Sequence, residues 1–306
     1  MDELTRLEHE LVTACRAVKD FTLVKRQGIR DIGKPSTATT DFAGTIHPSA
    51  VLTEVDLHNQ EQIISSMGAA SPSLYIAVEE NLEPHRQTPL QKKLYANRDT
   101  ARFLLTLDAI DGTYLYAYTR RGDYAICAGI LERTGAESGQ FRRALFYYPE
   151  KDSFLIARGS GSVVWKDSHG TEARVLPNEN PRLSLADFQS NKLHGEKKFG
   201  FRLPFRNDGE AIVADIFDLV NGVRAGYVWK KGKLIDSAVG TFMLDCLGFH
   251  VRYEDGSRLE DLAWGDTLLG EERVLARMPD QLIIAAANEQ LYRELLQHIA
   301  ENRIRN

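Results

Sequence analysis

Apolar residues at Leu4, Leu7, Leu11, Ala14 and Val18 recur at intervals of three and four, the spacing of one buried helical face. This predicts a first helix that carries core and no chemistry. A second helical run puts Leu57, Ile63, Ile64 and Met67 on its apolar side, with Thr53 or Asp56 placed to cap it. Largely apolar runs at Leu74 to Val78, Phe103 to Leu107 and Tyr124 to Leu131 read as buried strands. Ala144 to Tyr148, Ser153 to Ala157 and Ser162 to Trp165 follow closely, which predicts a meander rather than alternating βα units. Helical spacing returns over Ala211 to Val220 and stops at Asn221-Gly222, and a strand covers Ala225 to Trp229. A helix with Ala238, Val239, Phe242, Met243, Cys246 and Leu247 facing inward, strands at Phe249 to Tyr253 and Gln281 to Ala286, and a last helix from Glu289 close the chain. Gly28 to Pro48 reads as a polar loop or short hairpin, and Leu176 to Leu203 as the passage to a second lobe. Two lobes are therefore expected, 1–175 and 176–306.

Composition narrows the function. The 306 residues suffice for a large core, and 43% apolar with 26% charged content is ordinary for a soluble enzyme. A net charge of -5 argues against a partner that is a nucleic-acid polymer. Cys15, Cys127 and Cys246 match no zinc spacing, so buried free thiols are expected. MDELTRLEHE lacks the apolar core of a signal peptide, and no apolar run approaches the length of a membrane span. The expectation is a soluble, cytoplasmic protein with no membrane partner.

Chemistry concentrates at LLTLDAIDGT, residues 104–113, where a strand runs into two carboxylates, a glycine and a hydroxyl. Asp108 and Asp111 are three apart, so a tight turn can bring both to one point. Two anions held that close require a proton or a cation, and an oxygen-only donor set suits Mg²⁺. Gly112 and Thr113 offer backbone N–H groups that suit a phosphate. An Asp-rich turn with an Asx hydrogen bond uses the same residues without any ligand. Glu79-Glu80 repeats the pattern after a buried strand and equally fits a solvated turn. Asp56 fits a helix cap as well as catalysis, and Asp236 sits where a helix N-terminus favours a carboxylate.

Taken as an ordered set, Thr53-Glu-Val-Asp56, Val78-Glu79-Glu80, Asp108-Ala-Ile-Asp-Gly-Thr113 and Asp236-Ser-Ala-Val-Gly240 resemble the inositol monophosphatase superfamily of lithium-sensitive, magnesium-dependent phosphatases, which includes bisphosphate nucleotidases and fructose bisphosphatases. The resemblance spans nearly the whole chain. It implies an α+β fold layered αβαβα with the site between the lobes. Glu79, Asp108, the Ile110 carbonyl, Asp111 and Asp236 would hold two or three Mg²⁺ ions. Asp56 and Thr113 would orient and deprotonate the attacking water, and the Gly112 and Thr113 backbone would hold phosphate. The substrate would be a small phosphorylated metabolite, a sugar or polyol, and a homodimer is common among similar proteins.

Several positions depart from the pattern. Ala109 replaces a proline, and Ile235 a tryptophan. Trp229 stands where inositol-specific members carry a glutamate, and Gly209-Glu210-Ala211 lacks the usual serine, so Glu210, Ala211 and Trp229 are the expected substrate-selecting positions. Thr45 stands where a basic residue is often found. Trp229 fits stacking on a base or sugar face, or plain packing; Lys230, Lys231 and Lys233 fit a second phosphate or a solvated turn. Arg121-Gly-Asp-Tyr-Ala-Ile-Cys127 is similar to 3'(2'),5'-bisphosphate nucleotidases, whereas Tyr114 replaces a lysine often found there. A nucleotidase and a non-catalytic relative that binds a phosphorylated ligand are the two alternatives.

Overall fold

The computed structural model describes residues 1–30, 32, 52–80, 88–119, 124–136, 138–159, 161–176, 182–191, 199–209, 211–230, 234–258, 262–263 and 282–304. Most of the Gly28 to Pro48 loop, together with Thr45, Arg121, Glu210, Lys231 and Lys233, therefore lies outside the described residues. Five layers stack as helix, sheet, helix, sheet, helix, so the α+β expectation holds.

Helices α1 (Glu3–Ala17), α2 (Lys19–Lys25), α3 (Glu54–Ala70) and α4 (Pro89–Ala96) precede or interleave with the first two strands, β1 (Tyr75–Val78) and β2 (Phe103–Asp111). Then β3 (Ala125–Arg133), β4 (Ser138–Tyr148), β5 (Ser153–Ala157), β6 (Val163–Lys166) and β7 (Glu172–Arg174) continue the first sheet in sequence order. Only β1 and β2 pair in parallel; every later neighbour is antiparallel, the expected meander. The second sheet takes its strands from β8 (Phe188–Asn191), β9 (Arg206–Gly209), β10 (Gly226–Lys230), β11 (His250–Tyr253) and β13 (Leu282–Ala286), in the order β11-β13-β10-β8-β9. The short β12 (Leu262–Ala263) returns to pair with β4 in the first sheet. Helices α5 (Ile212–Val220), α6 (Val239–Leu247) and α7 (Glu289–Glu301) complete the elements.

Alternation along the strands sorts the layers. Leu105, Leu107, Ile126, Ala128 and Ile130 face α1 and α3, which contribute Leu7, Leu11, Ile63 and Met67. Leu104, Cys127, Phe146 and Leu155 face the other way, into a cluster shared with Ile212 and Ile216 of α5, Met243 of α6, and Tyr227, Trp229 and Ile283 of the second sheet. The far side of that sheet, with Phe188, Val228 and Ile284, is covered by Leu295 and Ile299 of α7. No helix among the described residues is long and apolar enough to cross a membrane.

Six of these elements escape the pattern reading. α2 and α4 are short, β7 and β12 span only three and two residues, β8 lies in the stretch expected to be a passage, and β9 reads Arg-Asn-Asp-Gly with no apolar run. β4 also begins six positions before Ala144, because Arg142 and Arg143 interrupt the apolar signal; Arg143 still pairs with Ile130 of β3, and Arg142 falls in a register shift between the two strands.

Candidate active site

The site forms where β2 loses its regular register. Asp108 pairs with Cys127 and Asp111 with Ala125, so three steps on β2 oppose two on β3. In a regular strand, positions three apart point to opposite faces. The extra residue of the bulge turns Asp111 back to the face of Asp108, the face on which Cys127 and Ala125 lie. A β-bulge, not the tight turn expected from the sequence, thus brings the two acids together. The Asx bond is present as well, since Asp108 Oδ1 accepts from the Ile110 N–H at 3.0 Å.

Asp236 reaches the same point from the other side. It lies in a wide-turned π-helical segment, Leu234–Ala238, that leads directly into α6. Its Oδ1 accepts from the Ser237 N–H and, at 2.7 Å, from the Ser237 hydroxyl. Asp236 does not cap α6, whose N-cap is Ala238 without a side-chain bond. Carboxylate oxygens of Asp108, Asp111 and Asp236 all lie within 4.8 Å of one another. The expected ligand Glu79 is not in that triple cluster. Its N–H bonds the Leu107 carbonyl at 3.0 Å, which sets its backbone beside Asp108 at the end of the parallel β1–β2 ladder. Beneath these groups, burial drives the Cys127 thiol well above its ordinary pKa, and the charges of Asp111, Asp108, Asp236 and Glu79 push it further the same way. The Cys127 Sγ lies 3.4 Å from the Ile235 carbonyl, tying the Asp236 segment to β3.

Asp56 serves two structures at once. Thr53 is the N-cap of α3 and Asp56 closes the capping box, its Oδ2 accepting from the Thr53 N–H at 2.9 Å and the Thr53 hydroxyl at 2.5 Å. The other oxygen accepts from the Thr113 hydroxyl at 2.8 Å. Cap and site partner, which the sequence left as alternatives, are both occupied. Thr113 Oγ1 also lies 2.8 Å from the Ile110 carbonyl, the main-chain oxygen expected to face a metal. One hydroxyl proton cannot serve both acceptors fully, and the charged Asp56 is the stronger.

Gly112 has φ 89°, a left-handed conformation that glycine adopts without the Cβ penalty. Its carbonyl accepts from the Tyr116 N–H at 2.9 Å, which starts a helical turn continuing as the π segment Leu115–Thr119. Gly112 and Thr113 therefore sit at the front of that segment.

Asp111 also joins the two halves of the molecule. Its Oδ2 accepts from the Val213 N–H in the first turn of α5 at 2.8 Å, and that helix has no cap of its own from Ala211. An anion there satisfies an orphan donor and opposes the helix dipole. The Tyr148 hydroxyl donates to the Val213 carbonyl at 3.1 Å. No residue type marks Val213, since its role is carried by backbone, and Ser237 is visible only as part of a motif.

The selecting positions fare differently. Ala211 is buried at the start of α5 and Glu210 lies outside the described residues. Trp229 is 3% exposed, with its ring centroid 4.5 Å from that of Tyr227, which is the packed-aromatic arrangement. Behind it, Asp215 is buried and accepts from Gln189 Nε2 at 2.7 Å. Burial raises its pKa well above the carboxylate range; the Tyr227 hydroxyl opposes that shift and the charge of Asp111 adds to it.

Two stacked sheets with paired helices between them are the architecture of the inositol monophosphatase fold. The solved structures that superpose on the chain are of that kind. Extragenic suppressor protein suhB from Bartonella henselae aligns with a TM-score of 0.66 at 15% identity, over 95% of this chain and 97% of its own. Staphylococcal IMPase-I, complexed with products, gives 0.66 at 14% identity over the whole of both chains. An IMPase/NADP phosphatase complexed with NADP and Ca²⁺ gives 0.65 at 14% identity, over 99% of this chain and all of the other. No protein-family model and no curated protein sequence matches the chain.

Proposed function

We propose that this protein is a Mg²⁺-dependent phosphomonoesterase that hydrolyses a small phosphorylated metabolite. The observation that carries the reading is the meeting of Asp108, Asp111 and Asp236 within 4.8 Å beside the Thr113–Asp56 pair. Three partly or fully buried carboxylates at that separation repel strongly unless a cation lies among them, and an all-oxygen set fits a hard divalent ion. Asp108, Asp111 and Asp236 would hold it, with Glu79 and the Ile110 carbonyl as the further oxygens in reach of a second or third ion. When bound, Mg²⁺ neutralises charge on the phosphoryl oxygens and lowers the pKa of coordinated water.

The chain's own groups do the rest. Thr113 donates its hydroxyl proton to Asp56 and so turns its lone pairs outward to accept from a water, which fixes the direction of attack. Asp56, held by Thr53, keeps Thr113 in that rotamer. The Gly112 and Thr113 amides receive the phosphoryl oxygens, and the left-handed Gly112 allows close approach. The ligands named for two solved structures of the fold, products in one and NADP with Ca²⁺ in the other, accord with this reading. Lithium sensitivity and a homodimer belong to the same proposal.

The test is phosphate release from a panel of monoesters with Mg²⁺. Activity is expected to disappear with chelator, and Asp108→Asn to lose at least about a hundredfold in rate. Release that ignores chelator would overturn the reading.

A further inference from the structure

Gln60 interrupts the apolar stripe of α3. It stands four residues before Ile64 and seven before Met67, on the face those side chains bury, and is itself only 1% exposed. An amide in such a place requires partners. Gln60 takes both from one residue: its Nε2 donates to the Glu80 carbonyl at 2.7 Å, and its Oε1 accepts from the Glu80 N–H at 3.2 Å. Among the described residues β1 is the edge strand of the first sheet, so no strand bonds it on the side away from β2. A side-chain amide offers one donor and one acceptor as a strand neighbour would, and Gln60 takes that neighbour's place just past the end of β1. Glu79 lies between this clamp and the ladder. Its own N–H is bonded to the Leu107 carbonyl, and the next N–H along the chain is bonded to Gln60. Both peptide planes that flank the Glu79 Cα are therefore held, which fixes the two soft dihedrals between them and the direction in which the side chain leaves.

We infer that Gln60 is a positioning residue for the proposed metal centre, aiming Glu79 by clamping the backbone that follows it. This rests on the phosphomonoesterase reading, in which Glu79 supplies an oxygen beyond the cluster of Asp108, Asp111 and Asp236. Because Glu79 stands outside that cluster, its reach to an ion depends on where the end of β1 points. The clamp comes from the helix that also carries Asp56, the partner of the Thr113 hydroxyl. Asp56 and Gln60 are four apart and share one face of α3. One rigid helix thus sets the spacing between the water-orienting pair and this outlying ligand. Groups that orient a metal ligand from behind contribute about 10- to 100-fold in metal affinity.

The experiment is calorimetry of Mg²⁺ binding to the wild type, Gln60→Asn, Glu79→Gln and the double variant. Gln60→Asn keeps an amide in the buried position but is one methylene short of Glu80, and it should weaken Mg²⁺ binding by about tenfold. With Glu79 already replaced, the same change should matter by less than about twofold, because a residue that acts through Glu79 then has nothing left to position. The Mg²⁺ concentration for half-maximal phosphate release should rise in step with the Kd while kcat at saturating Mg²⁺ is retained. A general loosening of α3 would not give that split, since it would disturb Asp56 and Thr113 as well. In the wild type, whatever the stability of the variants, Mg²⁺ should slow hydrogen exchange of the Glu80 amide. An unchanged Mg²⁺ affinity in Gln60→Asn, an undiminished effect in the Glu79→Gln background, or Glu80 exchange indifferent to Mg²⁺ overturns the inference while leaving the phosphatase reading intact. A wild type that binds no Mg²⁺ and releases no phosphate removes the reading beneath it.

Discussion

Gly112 is where one residue's freedom matters most. At φ 89° an alanine would carry the left-handed penalty of about 1–2 kcal/mol, and its methyl would stand where a phosphoryl oxygen is proposed to approach. Gly112→Ala should therefore lower stability by about that much and reduce phosphate release far more than the stability loss accounts for; melting curves and initial rates on one preparation separate the two. Asp215 offers a second residue-level prediction, this one in pH. Its folded pKa is raised, so its contribution to stability is complete below the ordinary carboxylate pKa and is lost as pH rises through the folded value. Asp215→Asn should flatten that decline in metal-free protein, its advantage in melting temperature growing as pH rises. A difference that stays constant with pH would show that Asp215 ionises freely in the folded state.

Elements were legible in proportion to how much apolar surface they bury per residue. β2 and β3, buried along most of their length, and the amphipathic α1 and α7 are in place. β9 holds its place by pairing with β8, and α4 announces itself only through Thr88 and Gln91 in a capping box, a signal of caps rather than of periodicity. The acids were legible as residue types at strand ends, but how they converge was not. That depended on a bulge between Asp108 and Asp111, whose register is decided by the partner strand, and on a π segment at Asp236. Close packing between elements gives the prediction at this scale. A Cβ on Gly226 would lie 2.4 Å from the Ala285 carbonyl oxygen and 2.3 Å from the Phe188 ring. Gly226→Ala should cost about 1–3 kcal/mol in chemical denaturation, since a backbone oxygen of a central strand cannot move aside as a side-chain tip can.

Across the whole molecule, the three free cysteines occupy three separate places: Cys15 on α1, Cys127 on β3 and Cys246 on α6, all buried. Burial raises each thiol, with Cys246 pushed up to about 12. Only Cys127 lies under the acid cluster, where the carboxylate charges add to the effect. A thiol reagent at neutral pH should consequently read as a clock of layer opening, each cysteine reporting the moment its own part of the molecule comes apart. Adding Mg²⁺ should slow labelling of Cys127 more than that of Cys15, because a ligand that binds only the closed cluster shifts the opening equilibrium there. Mass spectrometry of the labelled peptides decides it, and equal slowing of all three would mean that the layers open together. On this view the buried thiol under the carboxylates, with no part in the proposed chemistry, is a native probe of how firmly the two sheets are fastened at the place where they meet.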